Sequence, residues 1–340
     1  MGRYLAAHRR ERVAARGQGR LDARFGRNDR TMARAALKIR GAAIVMAMLL
    51  AALAATIAAT LIWQQQRWVG EHERRRDQVQ AQALAMAGVQ WARQILFENA
   101  PPSTVHLGQP WAFRLPATPI ENGAIGGYIT DAQAGLNVNN LAAGGTASDA
   151  ARGAFQRLFS QLGMPASLPN GFIDWVDADN EVTEGGGAED AYYLAQAIPG
   201  LAANAPVRRV GELLAVRGAS IALLPRLLPF VDAVDAPTAV NVNTAPAEVL
   251  MAAVGGLSAT AAAALVASRA NMPFGSVADF RSRLPGGALV IDETMLSVKS
   301  DWFVVSIDAR QGDTIARARA LLKRSTTPSE WPTLVWQTVE

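Results

Sequence analysis

The chain has 340 residues and a mass of 36.1 kDa; half of its residues are hydrophobic and 18 % are charged, which excludes a wholly disordered or collagen-like chain and fits one or two globular domains. Its formal charge is +4, but residues 1–40 hold eleven Arg and Lys38 against Glu11, Asp22 and Asp29, a local charge of +9. The remaining 300 residues therefore carry −5, so the folded part offers no broad electrostatic footprint for nucleic acid.

Cysteine is absent, which removes disulfides, thiolate metal sites and Cys nucleophiles. His8 lies in the basic leader and His72 just beyond the apolar run described next. His106 alone is left for a triad, a zinc site or a general base in a globular domain, or simply as a solvated side chain.

No charged residue occurs from Gly41 to Gln66, and Ala42 to Trp63 is an almost unbroken apolar run of 22 residues, about 33 Å as a helix and long enough to cross a bilayer. It exceeds the apolar core of a secretory signal, roughly 7 to 15 residues. Trp63 and Trp68 stand where interfacial aromatics belong, and the excess of Lys and Arg before the span keeps the N-terminus in the cytoplasm. Residues 67–99 continue as good helix formers up to Pro101 and Pro102, with Val79, Ala83, Met86, Ala87, Gln90 and Trp91 near one face.

The junction Lys38-Ile39-Arg40-Gly41 followed by Ala42-Ala43-Ile44-Val45-Met46 resembles a type IV prepilin-like N-terminus. The resemblance implies a leader ending at Gly41, cleavage on the cytoplasmic face by a prepilin peptidase, and Ala42 as the methylated first mature residue. Most such proteins carry Glu at the fifth mature position, where this chain has Met46. Among the minor pseudopilins of type II secretion, the K component is the one that lacks this Glu. The 41-residue leader is long for the family, and a start at Met32 gives one of ten residues.

In the globular part, residues 126–141 begin as a strand and turn through Asp131 and Gly135, and Ala150 to Leu162 reads as a helix with Phe155, Leu158, Phe159 and Leu162 on one side. Gly171 to Tyr193 then carries seven acidic residues and no Lys or Arg. Such crowded carboxylates repel one another and point to a hard cation, to a solvated acidic loop, or to a pair of catalytic acids. An EF-hand register from Asp177 fails, with Val182 where Gly belongs and Ala188 where Glu belongs. The run Asp-Trp-Val-Asp-Ala-Asp, Gly-Ala-Glu-Asp and Tyr-Tyr is similar to the signature of the K component, a family known to bind calcium here. The resemblance carries a structural calcium role onto Asp177, Asp179, Glu184, Glu189 and Asp190, with Asp174 capping or orienting.

Val207 to Val216 reads as a helix start, and Val240 to Leu250 as a helix N-terminus with Asn and Thr as capping types, Pro246 in the first turn and Glu248 complementing the dipole. Asn241-Val-Asn243 echoes Asn137-Val-Asn139, too short a match for a repeat. Val254-Gly255-Gly256-Leu257, the Ala-rich helix to Arg269 and a second helix through Phe280 resemble a helix-hairpin-helix or SAM-like module. Such modules bind DNA phosphates, but the second spaced Gly is missing and Asp279 dilutes Arg269, Arg281 and Arg283. Val298 to Asp308 and Leu334 to Thr338 read as strands, with Ile315 to Leu322 between them open to either assignment.

The expected fold is α+β: leader 1–41, transmembrane helix 42–66, stalk helix 67–99, a pilin-like α/β domain from 100–137 and 293–340, and an inserted all-α domain 138–292 with its acidic loop at 174–190. By resemblance the chain is a minor pseudopilin of type II secretion, not an enzyme. It would sit in the inner membrane with a periplasmic C-terminal domain, at the pseudopilus tip beside the I and J components and above the major pseudopilin. There it would start assembly and limit length. The alternative is a membrane-anchored DNA-uptake protein; a periplasmic hydrolase built on the acidic loop is a further rival.

Overall fold

A computed structural model describes residues 22–98, 103–287, 289–325, 327 and 329–340, with the backbone alone for 22–41. Most of the basic leader and the pair Pro101-Pro102 lie outside the described residues. The chain divides into two units, Met1–Glu73 and Arg74–Glu340, and the first helix, α1 (Asp22–Glu98), contributes to both.

In the first unit the helical residues from Ala42 onward expose their apolar side chains, Ile44, Leu49, Leu53, Ile57 and Leu61 among them. The hydroxyls of Thr56 and Thr60 donate to the helix's own carbonyls, Ala52 O and Ile57 O, each at 2.7 Å. Both polar groups are thereby satisfied within the helix, as a hydrocarbon environment requires. By length and composition this segment can cross a membrane.

In the second unit, the rest of α1 buries Ala81, Ala85, Val89, Ala92 and Leu96, a seam repeating every three to four residues. This is not the face expected from the sequence. Val79, Met86 and Trp91 are 65 %, 45 % and 49 % exposed, and Ala83, Ala87 and Gln90 are exposed with them. The chosen seam is made of the smaller side chains, which let the helix axis approach the sheet closely. At Gly88 a Cβ would stand 2.8 Å from Ile307 Cγ2, so only glycine fits without displacement.

That sheet has five antiparallel strands: β1 (Leu115–Ile120), β2 (Gly123–Asp131), β3 (Trp302–Gln311), β4 (Thr314–Lys323) and β5 (Thr333–Val339), neighbours in that order. Side chains alternate between two cores. Phe303, Val305, Ile307 and Ala309 face α1, whereas Trp302 and Val304 meet Ala132, Val234 and Leu321 on the opposite side. Residues 315–322 are resolved as strand: Ala316, Ala318 and Ala320 are buried in the core beside α1 while Arg317 and Arg319 are exposed.

β2 and β3 pair from Gly123↔Gln311 to Asp131↔Phe303, although the chain between them is a separate, mainly helical body. Its helices are α2 (Asp149–Gln161), α3 (Leu168–Val176), α4 (Asp190–Leu194), α5 (Leu224–Leu227), α6 (Ala247–Ala253), α7 (Ala259–Asn271) and α8 (Val277–Ser282). They enclose one core around Phe155, Phe159, Phe172, Phe274 and Phe280. The body is not all-α. Val231–Asp232 pairs with Leu136–Asn137, Val240–Asn241 with Leu296–Ser297, and Val254–Gly255 with Val290–Ile291. The expected helix at 207–216 is a 3-10 turn, Val210–Ala215.

The two Asn-Val-Asn triplets are the same device used twice. Asn137 and Asn241 each accept from the backbone N–H two residues on, at 3.1 and 3.0 Å. Asn139 exchanges two hydrogen bonds with the backbone of Val207, and Asn243 exchanges two with that of Phe274, all at 2.8–2.9 Å. Each triplet begins on a two-residue parallel pairing, and each is followed by a 13-residue helix whose N-cap serine accepts from the third residue on. The same local device thus recurs in the two parts of the helical body. Asn241, Asn243 and Thr244 consequently do not cap α6, whose N-cap is Pro246 without a side-chain bond.

Asp131, at the end of β2, joins sheet and helical body. Its carboxylate accepts from Gln133 N (2.8 Å), Ser300 Oγ (2.5 Å), Thr244 Oγ1 (2.6 Å) and Asn241 Nδ2 (3.0 Å). Burial raises its pKa against the pull of those donors.

Candidate metal centre

The acidic loop connects α3 to α4, and its ends are set by those helices. Asp177 is the C-cap of α3, its N–H bonded to Ile173 O at 2.9 Å, so its side chain leaves the helix axis. Glu189 is the N-cap of α4 but makes no side-chain capping bond, which leaves its carboxylate free to turn inward. Asp174 is buried and organises the loop: both of its oxygens accept from Thr183 N at 3.1 Å. Gly187 lies directly against the Asp174 carboxylate and Thr183 O, where any Cβ would collide. The orienting role expected for Asp174 is the one its geometry serves.

Carboxylate oxygens of Asp177, Asp179 and Glu189 lie within 4.8 Å of one another. Asp177 and Glu189 are 3 % and 2 % exposed, and Asp179 faces solvent. Glu184 and Asp190 are not part of this convergence. Glu184 is exposed and contributes its backbone carbonyl to Asn170 Nδ2 at 2.9 Å, while Asp190 Oδ1 accepts from Ala202 N at 3.0 Å. Asn204, assigned no role at this loop from the sequence, donates from Nδ2 to Asp179 O at 2.9 Å and so pins the loop.

Three buried oxygens, Asp177 Oδ1 and both of Glu189, have no hydrogen-bond donor. Buried carboxylates are ordinarily paired or hydrogen-bonded, so this set lacks its compensation. Burial first, then the repulsion of Asp179 and Asp174, raises the Asp177 pKa to about 6. For Glu189, burial followed by repulsion from Asp174, Asp177, Asp179 and Asp190 raises it to about 8. An all-oxygen, anionic donor set of this kind fits a hard divalent cation. Around it, Trp175 and Tyr193 rings meet edge to face at 5.2 Å, and Arg217 Nη1 donates to Gly187 O at 3.1 Å, so the surrounding shell is rigid.

The helix-hairpin region holds no free cation among the residues expected to meet phosphate. Arg269 is buried, donates to Val242 O at 2.6 Å, and has its pKa lowered to about 10 by burial. Arg281 pairs with Glu293 at 2.7 Å and Arg283 with Asp279 at 2.6 Å. The Nδ1 of His106 accepts from Gly108 N at 3.2 Å.

Two profiles described as type II secretion system (T2SS), protein K match residues 134–236 and 240–299. A type II secretion system protein K from Pectobacterium carotovorum subsp. carotovorum is 32 % identical over 309 residues, covering 84 % of this chain and 93 % of that one. The chain belongs to the type II secretion system protein K family. Its namesake from Klebsiella pneumoniae is 32 % identical over 302 residues, covering 84 % of this chain and 92 % of that one. Among solved structures, the crystal structure of the GspK-GspI-GspJ complex from the enterotoxigenic Escherichia coli type 2 secretion system matches with a TM-score of 0.68 and 26 % identity, covering 81 % of this chain and 99 % of that one.

Proposed function

We propose that this chain is a minor pseudopilin at the tip of a type II secretion pseudopilus, that it associates with the I and J components there, and that it starts assembly and limits fibre length. The observation that carries the reading is the likeness, over 99 % of its length, to a chain solved in a GspK-GspI-GspJ complex. In this reading the role is structural, not enzymatic. The exposed apolar segment after Ala42 anchors the chain in the inner membrane, with the bulk of the chain periplasmic, and later exchanges lipid contacts for helix contacts with the major pseudopilin and other subunits. Processing by a prepilin peptidase would fall between Gly41 and Ala42, followed by methylation of Ala42. Met46 replaces the glutamate that, in the family, is thought to pair with a neighbour's N-terminal amine, as suits a subunit with none above it. The mainly helical body inserted between β2 and β3 adds bulk that would obstruct a further subunit.

Asp177, Asp179 and Glu189 would hold a structural calcium ion, and the three donor-less buried oxygens are the support for it. Bound calcium would neutralise the cluster, so that its binding free energy adds to that of folding.

The test is to express the full chain with the I and J components of the same system, purify in detergent micelles and analyse by size exclusion. A ternary complex is expected; elution of this chain alone would overturn the reading. In cells overproducing the major pseudopilin, deleting the chain should lengthen surface fibres and Met46→Glu should disturb tip placement. Unchanged fibre length would refute the capping role.

A further inference from the structure

Opposite α1, between the sheet and the helical body, lies a cavity of about 270 Å³. Its floor is formed by Val304 on β3, Leu321 on β4 and Trp336 on β5, and its wall by Val210, Leu224 and Val234 of the helical body. Onto this apolar surface project the cations Arg208, Arg209 and Arg319. Several other guanidiniums are engaged: Arg93, Arg157, Arg217 and Arg269 all donate to backbone carbonyls. Among the described residues, the Arg208 and Arg319 guanidiniums form no hydrogen bond and no ion pair, and Arg209 stacks over the Trp336 ring at 5.3 Å.

Carboxylates share the surroundings: Glu340 and Asp232 line the cavity, Glu212 Oε2 accepts from the Arg208 backbone N–H at 3.2 Å, and the Asp232 pKa is raised to about 7 by burial and by Asp131 against the pull of Arg319. The Trp336 Nε1–H, buried, has no acceptor in the protein. β5 is an edge strand, so the cavity opens beside a strand with a free side.

The geometry points to a binding site for a carboxylate carried on a short apolar stem, such as a glutamate or aspartate side chain of an extended partner segment, with Arg208 and Arg319 as the groups that recognise it. At about 270 Å³ the open cavity lies near the lower end of the range usual for small-ligand sites, roughly 300 to 1,000 Å³, and has room for an acidic side chain. Planar guanidiniums grip carboxylates through paired N–H bonds, and the apolar floor takes the methylene stem. A segment laid along β5 adds strand pairing. This site is independent of the acidic loop and of the tip assignment.

The experiment titrates the full chain in detergent micelles, by calorimetry, with three probes: butyrate, the blocked tripeptide acetyl-Val-Glu-Val-amide and its Gln counterpart. The Glu peptide is expected to bind at least about tenfold more tightly than the Gln peptide, and Arg208→Gln and Arg319→Gln each to weaken it about tenfold. Arg310→Gln, an exposed cation outside the cavity, should leave binding unchanged, and all variants should keep the parent melting temperature. Binding of butyrate as well supports a site that reads the carboxylate itself; binding of the Glu peptide alone supports it with the strand contribution. Absence of Glu-peptide binding, equal affinity for the Gln peptide, an unchanged affinity in both arginine variants, or equal displacement by inorganic phosphate would each overturn the proposal.

Discussion

Asp131→Ala isolates the junction between sheet and helical body. Four donors converge on the buried Asp131 carboxylate, and they differ in what they retain when it is removed. Asn241 Nδ2 keeps Val105 O at 3.0 Å and Ser300 Oγ at 2.9 Å, and Thr244 Oγ1 keeps a longer bond to Asn241 O at 3.3 Å. Gln133 N and Ser300 Oγ lose their recorded acceptor. An orphaned buried donor costs about 1–3 kcal/mol, so two cost roughly 2–6, and relief of the buried charge offsets part of that. The expected loss is about 3 kcal/mol. For a body of this size that is a fall in melting temperature of roughly 6–12 °C. Asp131→Asn keeps an acceptor where Oδ2 stood, preserving three of the bonds and opposing only Gln133 N, and should cost about 1–2 kcal/mol. Thermal and urea unfolding of the full chain in micelles measures both. If Asp131→Ala costs under about 1 kcal/mol, or Asp131→Asn costs more than Asp131→Ala, the carboxylate is not the clasp described.

Three further outcomes are expected. In calcium-free protein the raised pKa values of Asp177, from 3.8 to about 6, and Glu189, from 4.5 to about 8, mean that the folded state binds more protons than the unfolded one between about pH 4 and 8. Stability should therefore fall as pH rises through that window, and Glu189→Gln should remove the upper part of the slope; a melting temperature that climbs over the same range contradicts the assignment. Added calcium should raise the melting temperature at pH 7.5 by several degrees and release protons, an effect lost in Asp177→Ala but kept in Glu184→Gln, since Glu184 lies outside the convergence. Gly88→Val forces a branched side chain into Ile307 and should destabilise by about 1–3 kcal/mol, read as a lower urea midpoint, whereas Ala83→Val on the exposed face should be near neutral.

What could be read in the sequence followed the distance over which the information acts. The apolar span is a matter of composition along one helix, and the acidic loop one of local charge density; both were visible. The seam of α1 was not. Residues 79–96 carry small apolar side chains on more than one face, and a 3.6-residue period cannot choose between two such stripes when the sheet it meets is built from residues 115–131 and from strands beyond 300. Residues 315–322 stayed open between helix and strand because Ala favours helix while the alternation of Ala and Arg has the period of a strand, and the structure resolves them as strand. Asn241 and Asn243 looked like caps because only local partners are visible in sequence; beside the local bond from Asn243 N to Asn241 Oδ1, their side chains bond Val105, Asp131 and Phe274, 31 to 136 positions away. Within the acidic loop, crowding marked the region but not the ligand set, since whether a carboxylate converges depends on which helix end holds it.

The pairing of β2 with β3 joins residues such as Thr130 and Val304, 174 positions apart. Closing so long a loop is entropically unfavourable, and the sheet gains nothing from it until β2 and β3 meet. A compact intervening body shortens the effective loop, so the helical body should condense first and deliver the two strands to each other. The order of events in folding is then inside out with respect to the chain: the middle matures before the ends can join. β1 and β2 can pair with each other at once, but the other edge of β2 must wait for β3 until the last strands arrive, and that interval is when the open edge is most exposed to wrong partners.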